Sequence, residues 1–297
     1  MLLGLPKLAP FLKSCTNQPD APFNAKPTPF AAKLLMKRRH FVTGSLLFVG
    51  GCSAATQTRS TQSRVTMPKK LRFAVTDAKG LEELQRDYEP FRAALEEVLE
   101  TNIEFFPVEN LIAAAPAMLA GEMDFAWAGP SEYVVLRARA QAIPVVTLQR
   151  QNYRTVIAVY AGSGIQSLAE LKGKTLDVWQ LGAAASHLGA VKILIDAGVN
   201  PLAVKITEPD DDGRLARLKT GKIDAASRAL SRYLASLKEE GLSAKDYPVL
   251  AQGPLLPGDV FAVSSQLSPQ VIEVIRLRML ERREKLMQAI LAGEALA

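Results

Sequence analysis

Residues 181–189 read Leu-Gly-Ala-Ala-Ala-Ser-His-Leu-Gly, between an apolar run at 175–179 and an amphipathic run at 190–198. Small side chains at such a junction let a ligand approach the backbone. The unpaired N–H groups of a helix start carry partial positive charge, which suits an anion. A second junction of the same kind follows the run Asp124-Phe-Ala-Trp-Ala-Gly129, where Pro130 and Ser131 open a helix. Two helix starts facing one cleft, Gly129–Ser131 and Ala184–His187, would clamp a small oxyanion without a buried arginine. Ser131 and Ser186 would serve equally as plain helix caps. His187 offers an imidazole from the first turn, or is a packing residue. Thr76, Tyr88, Tyr133 and Tyr153 add candidate hydroxyls, each of which alone reads as half-buried packing. Within Glu-Pro-Asp-Asp-Asp-Gly at 208–213, Asp211 or Asp212 is a candidate acceptor for a ligand proton or amine, or part of a solvated turn. The run lacks the later ligands and closing Glu of a calcium loop. Arg228 follows a strand-like run and is either a cleft or a surface residue. Trp127 and Trp179 end strand-like runs and read as core close to the cleft.

Composition narrows the chemistry. The chain has 297 residues, 48% of them apolar, and a net charge of +6. Residues 1–52 hold seven Lys/Arg against Asp20 alone, so the whole excess of positive charge lies there. A neutral remainder gives no electrostatic case for nucleic-acid binding. There are two cysteines and two histidines. From Met36 the sequence places basic Lys37, Arg38 and Arg39 before a short apolar stretch, Phe41–Val49, and then Val-Gly-Gly-Cys52. That order is the pattern of a lipoprotein signal peptide, with Cys52 the lipidated residue; the paired arginines with Phe41 also resemble a twin-arginine signal. The apolar stretch is too short to span a bilayer, which takes about 20 residues. Residues 1–35 read as an N-terminal extension and 53–69, rich in Ser, Thr and Gln, as a flexible tether. Cleavage before Cys52 removes Cys15 and His40. A single histidine then excludes a multi-histidine zinc site and leaves little for triad catalysis. No catalytic residue, metal or cofactor is expected.

The elements that must position these residues alternate between strand-like and helix-like runs. Leu71–Val75, Ile103–Val108 and Asp124–Gly129 read as strands in the first half. A helix from about Tyr88 and another over 110–119 separate them, the latter bent or shortened by Pro116. The second half repeats the plan with strands at 175–179, 203–207 and 223–227, a helix over 184–197 closed by Gly198, and a helix over 213–221. Asp124 and Asp224 are 100 positions apart, as are Tyr133 and Tyr233, within the matching segments Met118–Asp124 and Leu218–Asp224. Two related α/β lobes explain that register. The stretches at 145–164 and 247–265 read as crossings between lobes, and a single long helix from Pro269 closes the chain. The expected boundaries are 70–152 with 254–297 for the first lobe and 153–253 for the second, with a hinge around a cleft.

Ser163–Trp179 resembles the Ser-Leu-x-x-Leu-Lys-Gly-Lys turn that opens the second lobe of type II periplasmic binding proteins. Gly121–Tyr133 resembles the Gly-x-x-Asp…Gly-Pro-x-x-Tyr signature of the phosphate/phosphite/phosphonate-binding family, and 185–201 and 256–263 are similar to that family too. The resemblance spans about residues 70–292. It implies the two-lobed type II fold, each lobe a mixed sheet flanked by helices. It also implies capture of a phosphonate, phosphite or phosphate for the permease subunits of an ABC importer in the inner membrane, by a monomer held outside the cytoplasm through its lipid. A sensor feeding a membrane signalling partner, or less plainly an enzyme on the bilobal fold, are the alternatives. The family's Ser-Thr-Ser run falls on Ala183, Ala184 and Ala185, so only Ser186 keeps a hydroxyl there. Each lost hydroxyl removes a hydrogen bond worth about 0.5–1.5 kcal/mol net.

Overall fold

The computed structural model describes residues 65–78, 80–208 and 213–294. The extension, signal peptide and Cys52, and Asp211 and Asp212, lie outside those residues. In the first half, β1 (Lys70–Val75) leads into α1 (Gly80–Asp87), α2 (Glu89–Leu99), β2 (Asn102–Phe105), α3 (Ala114–Leu119), β3 (Phe125–Ala128), α4 (Pro130–Ala140) and β4 (Ile143–Leu148). In the second, β5 (Arg154–Ala158) is followed by β6 (Thr175–Val178), a π-helical turn over Ala184–Leu188, α5 (Gly189–Asp196), β7 (Lys205–Thr207), α6 (Arg214–Lys219), β8 (Ala225–Ala229), α7 (Leu230–Glu239) and β9 (Val249–Leu255). The chain then returns through β10 (Asp259–Val263) to α8 (Pro269–Glu281) and α9 (Arg283–Glu294).

Two five-stranded mixed sheets result, ordered β2-β1-β3-β10-β4 and β7-β6-β8-β5-β9. In each, three parallel strands are followed by antiparallel ones. The antiparallel strands carry the two crossings: β4 leads into β5 of the other sheet, and β9 leads back into β10. The first sheet packs one face on α2, α8 and α9 through Phe73, Phe91, Phe125 and Phe261. Their rings lie 5.4–6.2 Å apart by centroid, with Phe91 stacked on Phe261. Full burial of each such ring is worth about 1.5–3 kcal/mol. In the second sheet Ile157, Leu176, Val178 and Ala225 face α5, whereas Val156, Ala158 and Ala226 face α6 and α7.

The internal repeat has a physical role. Asp124 accepts from the Arg72 amide at 2.9 Å and returns its own amide to the Arg72 carbonyl. Asp224 accepts from the Thr175 amide at 2.8 Å, and its own amide bonds the Thr175 carbonyl. Each aspartate thus pins the start of a lobe's third parallel strand to the start of its first.

Three sequence expectations need correction. The polar stretch before Tyr88 is the helix α1; of its side chains only Leu84 is buried, too few apolar positions to show a period. The closing helix is two, broken at Arg282, whose φ of −105° and ψ of 21° leave the helical region. The helix over 184–197 does not start as an α-helix: its first turn is π-helical, with the Leu188 amide reaching back to the Ala183 carbonyl at 3.1 Å. Among the described residues no helix is long and apolar enough to cross a membrane.

Candidate functional site

In the second lobe, the π turn sits on the β5–β8 pair. Alternation along these strands points Thr155, Ile157 and Ser227 to one face, and Ile157 is opposite Ser227 in the register. The turn and α5 cover that face. Gly189 is the closest approach: a Cβ there would stand 1.8 Å from Thr155 Oγ1 and 3.1 Å from the Ala184 carbonyl oxygen. The Ala184, Ala185 and Ser186 amides come too early in the helix for any residue behind them to accept within it. Three hydroxyls line the same place. Thr155, Ser186 and Ser227 are 1%, 3% and 0% exposed, and none of their oxygens has a hydrogen-bond partner. Buried hydroxyls are ordinarily satisfied, so three orphans around one turn mark it. Thr155 and Ser227 were missed in the sequence because neither is near residues 181–189 in the chain; a hydroxyl inside an apolar strand run was the only local signal.

His187 holds the loop in front of this turn. Its Nδ1 accepts from the Gly182 amide at 2.9 Å. Burial pushes its pKa below the ordinary histidine value, against a smaller opposing pull from Glu208. With Nδ1 accepting, the ring's proton in its neutral form is on Nε2. Glu208 accepts from the Leu181 amide at 2.8 Å. Arg228 donates to Ser236 Oγ at 2.6 Å.

The first lobe differs in character. Thr76 and Asp77 follow β1, Trp127 is in β3, and Asp259 begins β10, so all four collect at one end of the sheet. The helix start at Gly129 is present, with Pro130 in its first turn, but Ser131 does not cap it. The Ser131 hydroxyl donates to Glu132 Oε2 at 2.9 Å, and a Cβ on Gly129 would stand 2.6 Å from that same oxygen. Glu132 thus brings its own carboxylate back to the start of α4. The seat that the sequence assigned to a ligand anion is taken by the chain. Asp259 Oδ2 accepts from Trp127 Nε1 at 3.0 Å and from Arg150 Nε at 2.9 Å. The Arg150 guanidinium lies 4.7 Å above the ring of Tyr153. Burial raises the pKa of Asp77, opposed by Arg150 and reinforced by Asp259. Glu132 is raised by burial too, against its own amide and Ser131. Tyr153 is pushed up to about 12, first by burial. Tyr88 stands edge-on to Trp127 at 5.6 Å and feels the charge of Arg232 from the second lobe. Tyr133 is half-buried against the β3–α4 core, away from this cluster of contacts.

Residues 73–293 match the family model described as ABC transporter, phosphonate, periplasmic substrate-binding protein. The chain is 22% identical over 247 residues to the phosphate-import protein PhnD of Mycolicibacterium smegmatis, covering 77% of each. Its fold is similar to PhnD1 from Prochlorococcus marinus in complex with methylphosphonate, with a TM-score of 0.64 at 18% identity, over 76% of this chain and 90% of that one. It is also similar to the aliphatic sulphonate binding protein SsuA from Escherichia coli, with a TM-score of 0.53 at 19% identity, over 77% and 76% of the two chains.

Proposed function

Because this chain belongs to the periplasmic phosphonate substrate-binding proteins of ABC transporters, we propose that it captures a small phosphorus oxyanion between its lobes and presents it to the permease. The observation that carries the reading is the turn at Ala184–Leu188, where first-turn amides meet the three partnerless hydroxyls of Thr155, Ser186 and Ser227. Backbone N–H groups bind phosphate-like anions at helix starts without any charged side chain. The alanines at 183–185 leave those amides in place. Hydroxyls brought by β5 and β8 compensate for those absent from the segment itself.

The anion is held by the second lobe. The first lobe closes on it by rotation about the crossings near Arg150–Tyr153 and Leu255–Asp259, and contacts made only in the closed form stabilise that form for the permease. The chain acts as a monomer and is fixed to the outer face of the membrane through lipid on Cys52. The ordered basic, apolar and small-residue zones of residues 36–52 support that anchor. Cys52→Ala is expected to leave the precursor uncleaved by the lipoprotein peptidase; mass spectrometry that finds an unmodified mature N-terminus elsewhere in the wild type overturns the anchor.

A ligand that binds the native state alone raises stability by RT ln(1 + [L]/Kd), about 2.7 kcal/mol at a hundredfold excess over Kd. Thermal shift and calorimetry with methylphosphonate, phosphite, phosphate and sulfate therefore test the function. Stabilisation by a phosphorus oxyanion that weakens in Ser227→Ala and Thr155→Val is the expected result. No response to any of the four defeats the oxyanion reading.

A further inference from the structure

The two crossings between the lobes are tied to each other at both ends. Leu148 pairs with Asp259 in the last rung of the first sheet. At the end of the second sheet Arg154 pairs with Leu255, and the Leu256 amide donates to the Tyr153 carbonyl at 2.8 Å. Residues 149–152 on one crossing and 257–258 on the other lie between these ties. Gly258 is pressed against the first-lobe side, where a Cβ would stand 2.1 Å from the Leu148 carbonyl oxygen. Pro257 has a fixed φ, and Asn152 sits at a φ of 50°, in the left-handed region. The side chain of Arg150 spans the gap. Its Nε and Nη2 donate to Asp259 Oδ2 at 2.9 and 2.5 Å. Asp259 is 1% exposed and is also held by Trp127 Nε1 at 3.0 Å, so it moves with the first lobe. The same guanidinium lies over the ring of Tyr153, 4.7 Å from its centroid. Tyr153 moves with the second sheet and is 6% exposed.

We propose that Arg150 is a strut across the hinge: bonded to Asp259 of the first lobe and stacked on Tyr153 of the second, it holds the angle between the lobes. A guanidinium serves both partners at once, because its donors lie in its plane and its faces stay free for an aromatic ring. A lysine ammonium has no such face. Rotation about residues 151–152 and 257 carries Tyr153 away from a guanidinium that Asp259 keeps in place. Opening therefore breaks the cation–π contact while the ion pair survives. A contact present at one lobe angle and absent at others biases the equilibrium between them. Arg150 is thus a positioning residue: it acts through the lobe angle and sets the share of chains ready to capture a solute. The strut works in the ligand-free chain, so it stands apart from the oxyanion reading.

Spin labels on the full chain measure the angle without ligand. In a Cys15→Ser, Cys52→Ser background, Glu109→Cys in the first lobe and Lys205→Cys in the second, both exposed, give one interlobe distance by pulsed electron spin resonance. The otherwise unchanged chain is expected to show a narrow distribution. Tyr153→Leu removes the ring, and Arg150→Lys keeps a charge for Asp259 but loses the stacking face. Each should add longer distances, whose ratio to the short ones rises about fivefold, the population change that one cation–π contact carries. Both together should broaden the distribution no more than either alone, because they remove the same contact. Tyr153→Phe keeps the ring and should leave the distribution narrow. Arg150→Lys and Tyr153→Leu distributions that superimpose on the unchanged chain's overturn the strut, and so does a distribution that is already broad before either change. Should Tyr153→Leu not fold, Arg150→Lys decides: broadening supports the strut and superposition overturns it.

Discussion

Gly189→Ala tests whether the π turn is wedged against β5. On an open helix the change would help, since alanine is favoured over glycine by about 1 kcal/mol in a helix interior. Here the new Cβ would stand 1.8 Å from Thr155 Oγ1, 2.9 Å from Thr155 Cβ and 3.1 Å from the Ala184 carbonyl oxygen. Thr155 cannot swing away easily, because it is buried in a central strand with a stiff β-branched side chain. Forcing a methyl into a packed interior costs about 1–3 kcal/mol. Set against the propensity gain of about 1 kcal/mol, the net loss is about 0–2 kcal/mol. For a protein of this size each kcal/mol moves Tm by about 2–4 °C. Urea denaturation and thermal melts of Gly189→Ala, Thr155→Ala and the double variant close a double-mutant cycle. The expected coupling is positive: Thr155→Ala removes the nearest atom, so Gly189→Ala costs less in that background. Gly189→Ala more stable than the wild type by the full propensity gain, about 1 kcal/mol, would refute the wedge and reduce Gly189 to an ordinary helical glycine.

Three further outcomes follow from the charges. Asp77 has a folded pKa raised by burial, so its contribution is present below the ordinary aspartate value and is lost as pH rises through the raised one; Asp77→Asn should therefore raise Tm at pH 7 in ligand-free protein, with the gain vanishing in acid. His187 has a folded pKa lowered by burial, so its neutral form contributes stability above the ordinary histidine value that is lost as pH falls through the lowered one; melts between pH 7 and pH 5 should show an acid loss in wild type that His187→Gln flattens, and parallel profiles would discount the Gly182 contact. Asp124→Ala breaks both side-chain bonds from the Arg72 guanidinium, at 2.8 Å each, and the bond from the Arg72 amide; it should cost about 1–3 kcal/mol by denaturation, the loss that an unsatisfied buried donor carries, and a neutral effect would deny the strand-pinning role.

Local pattern sufficed for a large part of this protein. Strand runs such as Leu71–Val75 and Thr175–Val178, the glycine that follows α5 and the 100-residue spacing of Asp124 and Asp224 are readable because side-chain periodicity and turn chemistry act over a few neighbours. The resemblance carried by Gly121–Tyr133 and Ser163–Trp179 pointed to a family that the comparison then bore out. The turn at 184–188 was also legible as a junction, since small residues between a strand and a helix are contiguous. Its π geometry was not, because that depends on how closely Gly189 approaches Thr155, some 34 positions earlier.

The balance of charge in the cleft was decided by tertiary structure alone. Asp77, Glu132, Arg150 and Asp259 belong to four separated segments, and each by itself reads as a surface charge. They meet because β10 returns from the second lobe and inserts antiparallel between β3 and β4, carrying Asp259 to Trp127 and Arg150. Ser131 looked like a donor for a ligand because its type and position suit one, yet the residue beside it, Glu132, folds back and takes that donor. Sequence determines which groups can donate and accept. Only the packed chain determines which are already used, because a hydrogen bond depends on distances of a few ångströms between atoms that the sequence places a hundred residues apart.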